Sequence, residues 1–372
     1  MDFATWPWLL PVAGLAAGIV LGFAARHQHF CTMNALERHW YAGDSSGLRT
    51  WALAAAVAMV FTQAFDFAGL VDTGASFYLS TDLAWTGAII GGLAFGVGMA
   101  LVGTCGFGAL VRLGGGSLRS LVVLLVLGLS ALAAQRGLIA QGRQKIVDDL
   151  ALDLSFAGDQ SAGSILSAVF GTDLHVAVAV VVATLLLFWV FKNGAFRKSY
   201  GRIATGSTIG AIIAFGWVVT TYARRTSFDP VQVEAGSFVV PVADTILQFV
   251  TFTGVLPDYG VGLVVGVVLG AAACALHRRD LRWEACDSAG ELGRHLLGGF
   301  LMGTGGVFAM GCTIGQGVTA FSVLAVSAPL AIISIAVGAR LGLAYLVEGS
   351  PLPLLSWAAT RANAKRQAGT NR

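Results

Sequence analysis

Residues 91–108 read GGLAFGVGMALVGTCGFG, and residues 298–315 read GGFLMGTGGVFAMGCTIG. A shift of 207 residues superposes five glycines and one cysteine of the two stretches. Each stretch is apolar, is interrupted at residues 103–106 or 310–313, and continues as a second apolar run. Interrupted hydrophobic segments at corresponding places in two halves of a chain are typical of the substrate site of a transporter. The pair therefore predicts a transport protein with its site at the two interruptions.

The composition places both stretches in a membrane. Of the 372 residues, 56% are hydrophobic and 12% are charged, and the mean hydropathy is +0.76. A soluble domain carries about 25% charged residues, so the polar surface is too small for a soluble monomer. The 49 glycines agree, because small residues let membrane helices approach closely. We expect an all-α polytopic membrane protein, and the net charge of +3 gives no reason to expect a nucleic-acid partner.

Apolar runs near the length of about 20 residues that crosses a bilayer predict about nine transmembrane helices. The runs cover approximately Trp8–Ala25, Thr50–Leu70, Leu83–Val102, Leu118–Ala134, Leu174–Phe191, Ile203–Tyr222, Gly260–Leu276, His295–Met310 and Val318–Val347. The last run is long enough for a helix plus a broken piece, with Pro329 as the predicted break. We expect short re-entrant helices in addition.

Basic residues predict the orientation of these helices. Lys and Arg cluster after the odd-numbered helices, for example at Arg26 and Arg278, whereas the connections after the second and fourth helices are mainly acidic. Cytoplasmic loops are enriched in Lys and Arg, so we expect the N-terminus outside and the C-terminus inside. Arg224 and Arg225, after the sixth helix, are either a lapse in this statistical rule or an entrance that attracts anions. The first apolar run follows no basic segment and is expected to be a retained helix.

The two glycine-rich stretches lie on the third and eighth predicted helices, which run in opposite directions. Equivalent segments of opposite direction form an inverted repeat around an axis in the membrane plane. We therefore expect a first repeat at residues 1–134, an outside loop and a linking helix at 135–202, a second repeat at 203–347 and a basic cytoplasmic tail at 348–372.

The interruptions are the predicted substrate site. Glycine permits a break in a helix, and a broken backbone at membrane depth persists only where it is buried in protein or lines a cavity. The helices that resume after each break would direct their first N–H groups at the site, which favours an anion. The alternative is that these glycines serve packing and that the breaks are surface loops. The candidate contact residues are Gly103, Thr104, Gly106, Gly311, Thr313, Gly315 and Gln316.

Three of the five cysteines are candidates for the substrate pathway. Cys105 and Cys312 occupy equivalent places at the breaks, and Cys31 follows the first helix in a segment that can re-enter the membrane. A protonated thiol offers a weak S–H hydrogen bond and a soft contact to sulfur. Cys274 and Cys286 are expected to be ordinary small residues of apolar surroundings. For Cys31, a surface thiol in a loop is the alternative.

The remaining polar residues give weaker signals. Asn34 follows Cys31 closely and is a secondary candidate, whereas His27 and His29 lack a third ligand for a metal. Arg340 is the deepest charge of the last helix and would bind either substrate or the carbonyl groups of a broken helix. No catalytic triad, phosphate loop or ATP-binding motif is present within the predicted helices, so we expect neither an enzyme nor a cofactor.

Residues 29–34 (HFCTMN), 103–106 (GTCG) and 310–317 (MGCTIGQG) resemble the YeeE/YedE sulfur-transport family of bacterial inner-membrane proteins. The resemblance extends over residues 10–347. It implies an inverted-repeat protein that takes up thiosulfate, with Cys31, Cys105 and Cys312 passing the anion along by transient S–H contacts and without a lasting covalent bond. It also implies a small cytoplasmic sulfur-carrier protein as a partner, in addition to membrane lipid.

One feature departs from the family pattern. Thiosulfate importers of this family commonly have a further cysteine early in the second half, but residues 227–260 contain none, and Ser227, Ser237 and Thr251 are the nearest small polar residues. Import of thiosulfate is the leading hypothesis for function. A selenium compound, another anion, or a membrane thiol enzyme such as a sulfurtransferase or thiol oxidoreductase are the alternatives.

Overall fold

A computed structural model describes residues 8–227, 230–251 and 257–348 of the chain, and almost all of its regular structure is helical. The helices are α1 (Leu9–His27), α2 (Thr32–Ala42), α3 (Ser46–Phe67), α4 (Trp85–Val102), α5 (Gly106–Gly114), α6 (Leu118–Arg136), α7 (Leu138–Arg143), α8 (Ala162–Phe170), α9 (His175–Phe191), α10 (Gly194–Arg197), α11 (Tyr200–Thr226), α12 (Val240–Val250), α13 (Tyr259–Arg278), α14 (Ala289–Phe308) and α15 (Ser327–Glu348). The remaining elements are short: strands β1 (Asp82–Leu83) and β2 (Leu152–Asp153), 3₁₀ turns at Thr73–Ala75, Phe77–Leu79 and Ser155–Ala157, and π-helical turns at Gln144–Asp148 and Gly315–Ala320. The predicted basic tail, from residue 349 onward, lies outside the described residues.

Within the described residues, seven helical segments are long and apolar enough to cross a membrane: Leu9–Ala42, Ser46–Phe67, Trp85–Gly114, Leu118–Arg136, Tyr200–Thr226, Tyr259–Arg278 and Ser327–Val347. Helices α9 and α12 are apolar but shorter. Helix α14 has the length of a membrane helix, but its first turns carry Glu291 and Arg294. A helix satisfies its own backbone hydrogen bonds, which is what a segment in lipid requires. The predicted all-α polytopic membrane class is confirmed, and the number of nine membrane helices stays a prediction.

Glycines let distant helices pack backbone to backbone. A Cβ added to Gly18 of α1 would lie 2.3 Å from the carbonyl oxygen of Leu263 in α13, and one added to Gly22 would lie 2.2 Å from that of Val267. The residue numbers of the contacts increase in the same direction along both helices, so α1 and α13 are parallel. By the same criterion α3 is parallel to α11, α4 to α15 and α6 to α14.

Helices α4 and α14, which carry the two glycine-rich stretches, cross in opposite directions. A Cβ on Gly91 would lie 2.6 Å from the Gly305 oxygen, and one on Gly305 would lie 2.6 Å from the Gly91 oxygen. Gly98 and Gly298 meet in the same reciprocal way, at 2.6 and 2.8 Å. These pairs join the first glycine of one stretch to the fourth of the other. The helix pairs therefore match between the two halves of the chain, with α1 equivalent to α11, α3 to α13, α4 to α14 and α6 to α15. Under this equivalence the pair α1–α13 corresponds to α11–α3, and the pair α4–α15 corresponds to α14–α6.

The connecting segments gather at two ends of this helix bundle. At one end Arg26, in the last turn of α1, pairs with Asp280, after α13, at 2.9 Å, and Arg119 at the start of α6 pairs with Glu284 at 2.8 Å. At the other end β1 and β2 join the segments that follow α3 and α6, and the Arg224 guanidinium donates to the backbone oxygen of Ala75. The connections that follow the odd-numbered predicted helices thus lie at one end of the bundle, and those that follow the even-numbered helices lie at the other.

The predicted break at Pro329 is wrong. Helix α15 begins at Ser327 and includes Pro329 in its first turn. Proline is tolerated there because the N–H that it lacks would have no partner within the helix. The interruption instead lies at residues 323–326, where Leu324 has a positive φ of 59°.

Candidate functional site

The first predicted break is present between α4 and α5. Gly103 ends α4 with a left-handed φ of 77°, a conformation that glycine adopts without strain. The Arg112 guanidinium donates to the exposed carbonyl oxygen of Gly103 at 2.9 Å. Thr104 and Cys105 then form the link, and Cys105 is the extended N-cap residue of α5. Cys105 therefore lies directly before a helix N-terminus.

The second break follows α14 and has the same arrangement. Met310 has a φ of 56°, and the chain becomes helical again at Thr313, directly after Cys312. The backbone N–H of Gly315 donates to Cys312 Sγ at 3.4 Å. This sulfur thus takes the role that a serine or aspartate oxygen takes in many helix N-caps.

The third cysteine precedes a helix as well. Helix α1 ends at His27, His29 has a positive φ of 52°, and Cys31 is the extended N-cap residue of α2. The short segment predicted to re-enter the membrane is the start of α2. All three candidate cysteines consequently lie at the positive end of a helix dipole, where an anion is favoured.

Hydroxyl groups connect the three helix starts. The Thr32 hydroxyl accepts a hydrogen bond from Trp51 Nε1 at 3.1 Å and donates to the Thr313 hydroxyl at 3.4 Å. It also lies 4.0 Å from Cys105 Sγ, at the limit of an S–H···O contact. Thr32, the first residue of α2, therefore contacts residues of both breaks.

The cysteines themselves lie close to this network. Cys31 Sγ is 3.9 Å from the Thr104 hydroxyl, and Cys31 and Cys312 are both near enough to Cys105 to interact with it electrostatically. Cys105 is 1% exposed and Cys312 is 0% exposed, whereas Cys31 is half-buried. Of the three candidate thiols, Cys31 is therefore the one that solvent can reach.

Two further hydroxyls lie beside Gly315, in the helical segment that follows Cys312. A Cβ added to Gly315 would lie 3.0 Å from both Tyr78 OH and Ser237 Oγ. Ser237 is held there because the Thr319 hydroxyl donates to the neighbouring Gly236 oxygen at 2.6 Å. Ser237 is among the small polar residues noted where the family has a further cysteine.

Sequence reasoning missed Thr32, Trp51 and Tyr78. Thr32 lies inside the HFCTMN motif, next to Cys31, and that adjacency was a usable signal. Tyr78 belongs to a connecting segment whose polar residues were read for their charge alone, and Trp51 has no pattern that distinguishes it from other membrane tryptophans.

The other predicted residues occupy different places. Gln316 is fully buried and its side-chain amide donates to the Ala309 oxygen at 2.6 Å, which holds the second break in shape. The Arg340 guanidinium lies 5.6 Å from the Trp40 ring centroid and 4.9 Å from that of Tyr41, at the end of α2. It is therefore placed against α2 by cation–π contacts.

The pair Arg224 and Arg225 also supports the backbone. Arg225 donates to the Gly69 oxygen at 2.9 Å, as Arg224 does to that of Ala75. Cys274 is buried within α13, Cys286 is half-buried, and neither is in a disulfide. Within the described ranges, no group of three or more His, Cys, Asp or Glu residues is arranged to hold a metal.

A cavity of about 330 Å³ opens beside Cys31, and we call it the vestibule. Its wall includes Asn34, the turn after α1, and residues of α3, α11 and α13. Asn34 and Cys31 are thus brought together, as their spacing suggested.

Interrupted membrane helices that meet at buried thiols and hydroxyls define a membrane transport protein. The chain belongs to the sulphur transport family, whose profile matches residues 27–341. The predicted family is confirmed, and the matched region includes all three candidate cysteines.

Two relatives have been given a function. The chain is similar to the thiosulfate transporter TsuA of Escherichia coli, with 25% identity over 328 residues, which covers 82% of this chain and 86% of the relative. It is also similar to the thiosulfate transporter TsuA of Spirochaeta thermophila, with 25% identity over 331 residues, 87% of this chain and 96% of the relative.

Proposed function

We propose that this protein imports thiosulfate, and that Cys31, Cys105 and Cys312 form its pathway. The observation that carries the proposal is that each of these cysteines directly precedes a helix N-terminus and that Thr32 links the three helix starts. The names of the two relatives support the substrate.

The chemistry of the site suits a small sulfur anion. Helix N-termini and hydroxyl donors stabilise the oxygens of the anion. A neutral thiol donates a weak hydrogen bond to the terminal sulfur and does not repel the anion. Because each contact is weak, the anion can leave one thiol for the next, and no bond is made or broken. The proposal therefore includes neither an enzymatic step nor a cofactor.

The packing supports an inverted repeat as the frame of this pathway. The matched helix pairs, and the antiparallel crossing of α4 and α14, favour a first repeat at residues 1–134 and a second at 203–347, joined by 135–202. We place the protein in the bacterial inner membrane with its N-terminus periplasmic and its C-terminus cytoplasmic. Thiosulfate would then pass Tyr78 and Ser237 first and Cys31 last, where a small sulfur-carrier protein would receive it.

Uptake of labelled thiosulfate into proteoliposomes tests the proposal. Cys105→Ala and Cys312→Ala each remove one weak thiol contact to the substrate, worth about 0.5–1 kcal/mol, so uptake falls about 2- to 5-fold. Cys274→Ala is the matched control, because Cys274 is a buried cysteine of α13 that the proposal leaves out. Melting temperatures of the purified variants verify the fold. Unchanged uptake in both pathway variants refutes the relay.

A membrane thiol enzyme is the competing function. It requires a persistent persulfide on one of the cysteines after exposure to thiosulfate. Intact-mass measurement decides: a stable adduct of one sulfur atom favours the enzyme, and an unmodified mass with active uptake favours transport. Competition of the uptake by selenium-containing anions defines how narrow the substrate range is.

A further inference from the structure

The vestibule is a walled cavity and not a shallow depression of the surface. Its volume of about 330 Å³ is within the range of small-ligand pockets, about 300–1,000 Å³. Cys31 forms part of its wall and is half-buried, so the cavity reaches the pathway. A thiosulfate or sulfate ion, together with bound water, fits a cavity of this volume.

The charge of the wall has one sign. Arg38 of α2, Arg202 of α11 and Arg278 of α13 all line the vestibule, and none of the described residues lining it is acidic. Arg38 is paired with Asp44 at 2.9 Å. Within the described part of the chain, neither Arg202 nor Arg278 has an acidic partner at salt-bridge distance. Two arginine charges are therefore left for a ligand.

Helix N-termini at the vestibule add to the positive potential of the arginines. Helices α2, α3 and α11 all begin near the vestibule, since Cys31, Ser46 and Arg202 line it. Helix α1 ends there and would present a carbonyl oxygen, but the His27 oxygen accepts a hydrogen bond from Arg278 at 3.0 Å. Three helix starts, which favour an anion, thus lie at the cavity together with the ends of α1 and α13, and the His27 oxygen at the end of α1 is occupied.

We propose that the vestibule is a second anion-binding site, specific for small divalent oxyanions and separate from the buried cysteine cluster. Arg202 and Arg278 bind the oxygens, and Asn34 supplies an amide donor. The site holds the anion beside Cys31. Its part in transport rests on the proposed function, but the binding is independent of transport and is tested without it.

The rate of chemical modification of Cys31 reports on anion binding in the vestibule. In a Cys286→Ser background, Cys31 is the half-buried thiol and Cys105, Cys274 and Cys312 are buried. Purified protein in lipid-free detergent reacts with an anionic (sulfonatoethyl) or a cationic (trimethylammonioethyl) methanethiosulfonate reagent. Mass spectrometry of the peptide that contains Cys31 gives each rate. Lipid-free micelles remove phospholipid headgroups as a source of anion.

We expect the anionic reagent to be preferred over the cationic one by about tenfold or more, relative to their rates with a free thiol. Sulfate should slow the modification in a saturable way, and chloride of equal ionic strength should not. Arg202→Gln should lower the preference about fivefold, which is the effect of one charge at roughly 8 Å in water on reagents of opposite sign. Arg143→Gln, the same substitution in α7 at the other end of the bundle, should leave it unchanged.

Three results each overturn the site: equal rates for both reagents, no protection by sulfate, or no reaction of Cys31. An unchanged preference in Arg202→Gln overturns the role of that arginine. Uptake in proteoliposomes separates this proposal from the proposed function. If the protein takes up no thiosulfate but sulfate protects Cys31, the transport function fails and the anion site stands. If thiosulfate uptake is normal but sulfate does not protect Cys31, the transport function stands and the anion site fails.

Discussion

Gly315→Ala tests whether the substrate path passes between Cys312 and the two hydroxyls beside Gly315. Gly315 lies in the helical segment after the second break, and its backbone N–H donates to Cys312 Sγ. A methyl group on Gly315 would lie 3.0 Å from both Tyr78 OH and Ser237 Oγ. The substitution therefore adds one carbon atom between Cys312 and these two hydroxyls, on the proposed path.

The effect on folding is small. Ordinary contact begins near 3.4 Å, so each hydroxyl has to move by about 0.4 Å. Overpacking of this kind costs about 1–3 kcal/mol, and alanine recovers about 0.5–1 kcal/mol over glycine in a helix. The net loss of stability is at most about 2 kcal/mol. An anion that passes the same gap meets the same crowding again, which slows it about 10- to 100-fold.

Initial rates of thiosulfate uptake and melting temperatures, measured on the same preparations, separate the two effects. Gly293→Ala in α14 is the matched control, because a Cβ there would meet nothing within 4 Å. We expect the control to transport normally. Gly315→Ala should keep its fold and lose at least nine-tenths of its uptake rate. Normal uptake by folded Gly315→Ala would show that the path does not run between these groups.

Three further substitutions test the packing. Gly18→Ala places a Cβ 2.3 Å from the backbone oxygen of Leu263, which cannot move alone, so we expect a loss of about 1–3 kcal/mol or more, seen as a lower melting temperature. Trp217→Phe removes a buried hydrogen bond of 3.1 Å from the indole nitrogen to a serine hydroxyl and should cost about 1 kcal/mol in the same assay. Hydrogen bonding to Arg26 lowers the pKa of Asp280 below its ordinary value, so this pair stabilises the fold above that value and is lost as the pH falls through the lowered pKa. Asp280→Asn should therefore melt below the wild type at pH 7, and the difference should shrink as the pH falls below about 4 and vanish below the lowered pKa of Asp280.

The breaks and the crossing of α4 and α14 could be predicted from sequence because both depend on glycine. A glycine that touches a backbone carbonyl, such as Gly91 or Gly305, cannot be replaced without a clash, and the requirement is visible as a repeated spacing. The cysteines were visible for the same reason, because Cys105 and Cys312 share one register with those glycines.

Other parts of the site leave no local pattern. Thr32 and Thr313 are 281 residues apart in the chain, and their contact arises when three helix starts converge. Helix α12 has 11 residues, too few for a membrane-spanning run, so its apolar sequence did not distinguish it from a loop. Pro329 was misplaced because proline is compatible both with a break and with the first turn of a helix.

The parallel packing has a consequence for biosynthesis. Helices α1, α3, α4 and α6 all lie before residue 137, and their parallel partners α13, α11, α15 and α14 all lie after residue 199. A ribosome that has reached residue 199 has therefore delivered four helices to the bilayer, none of which has its parallel partner. Gly14, Gly18 and Gly22 of α1 then face lipid in place of the α13 backbone. The native bundle closes only as the last helices enter the membrane, because α14 and α15 are the partners of α6 and α4.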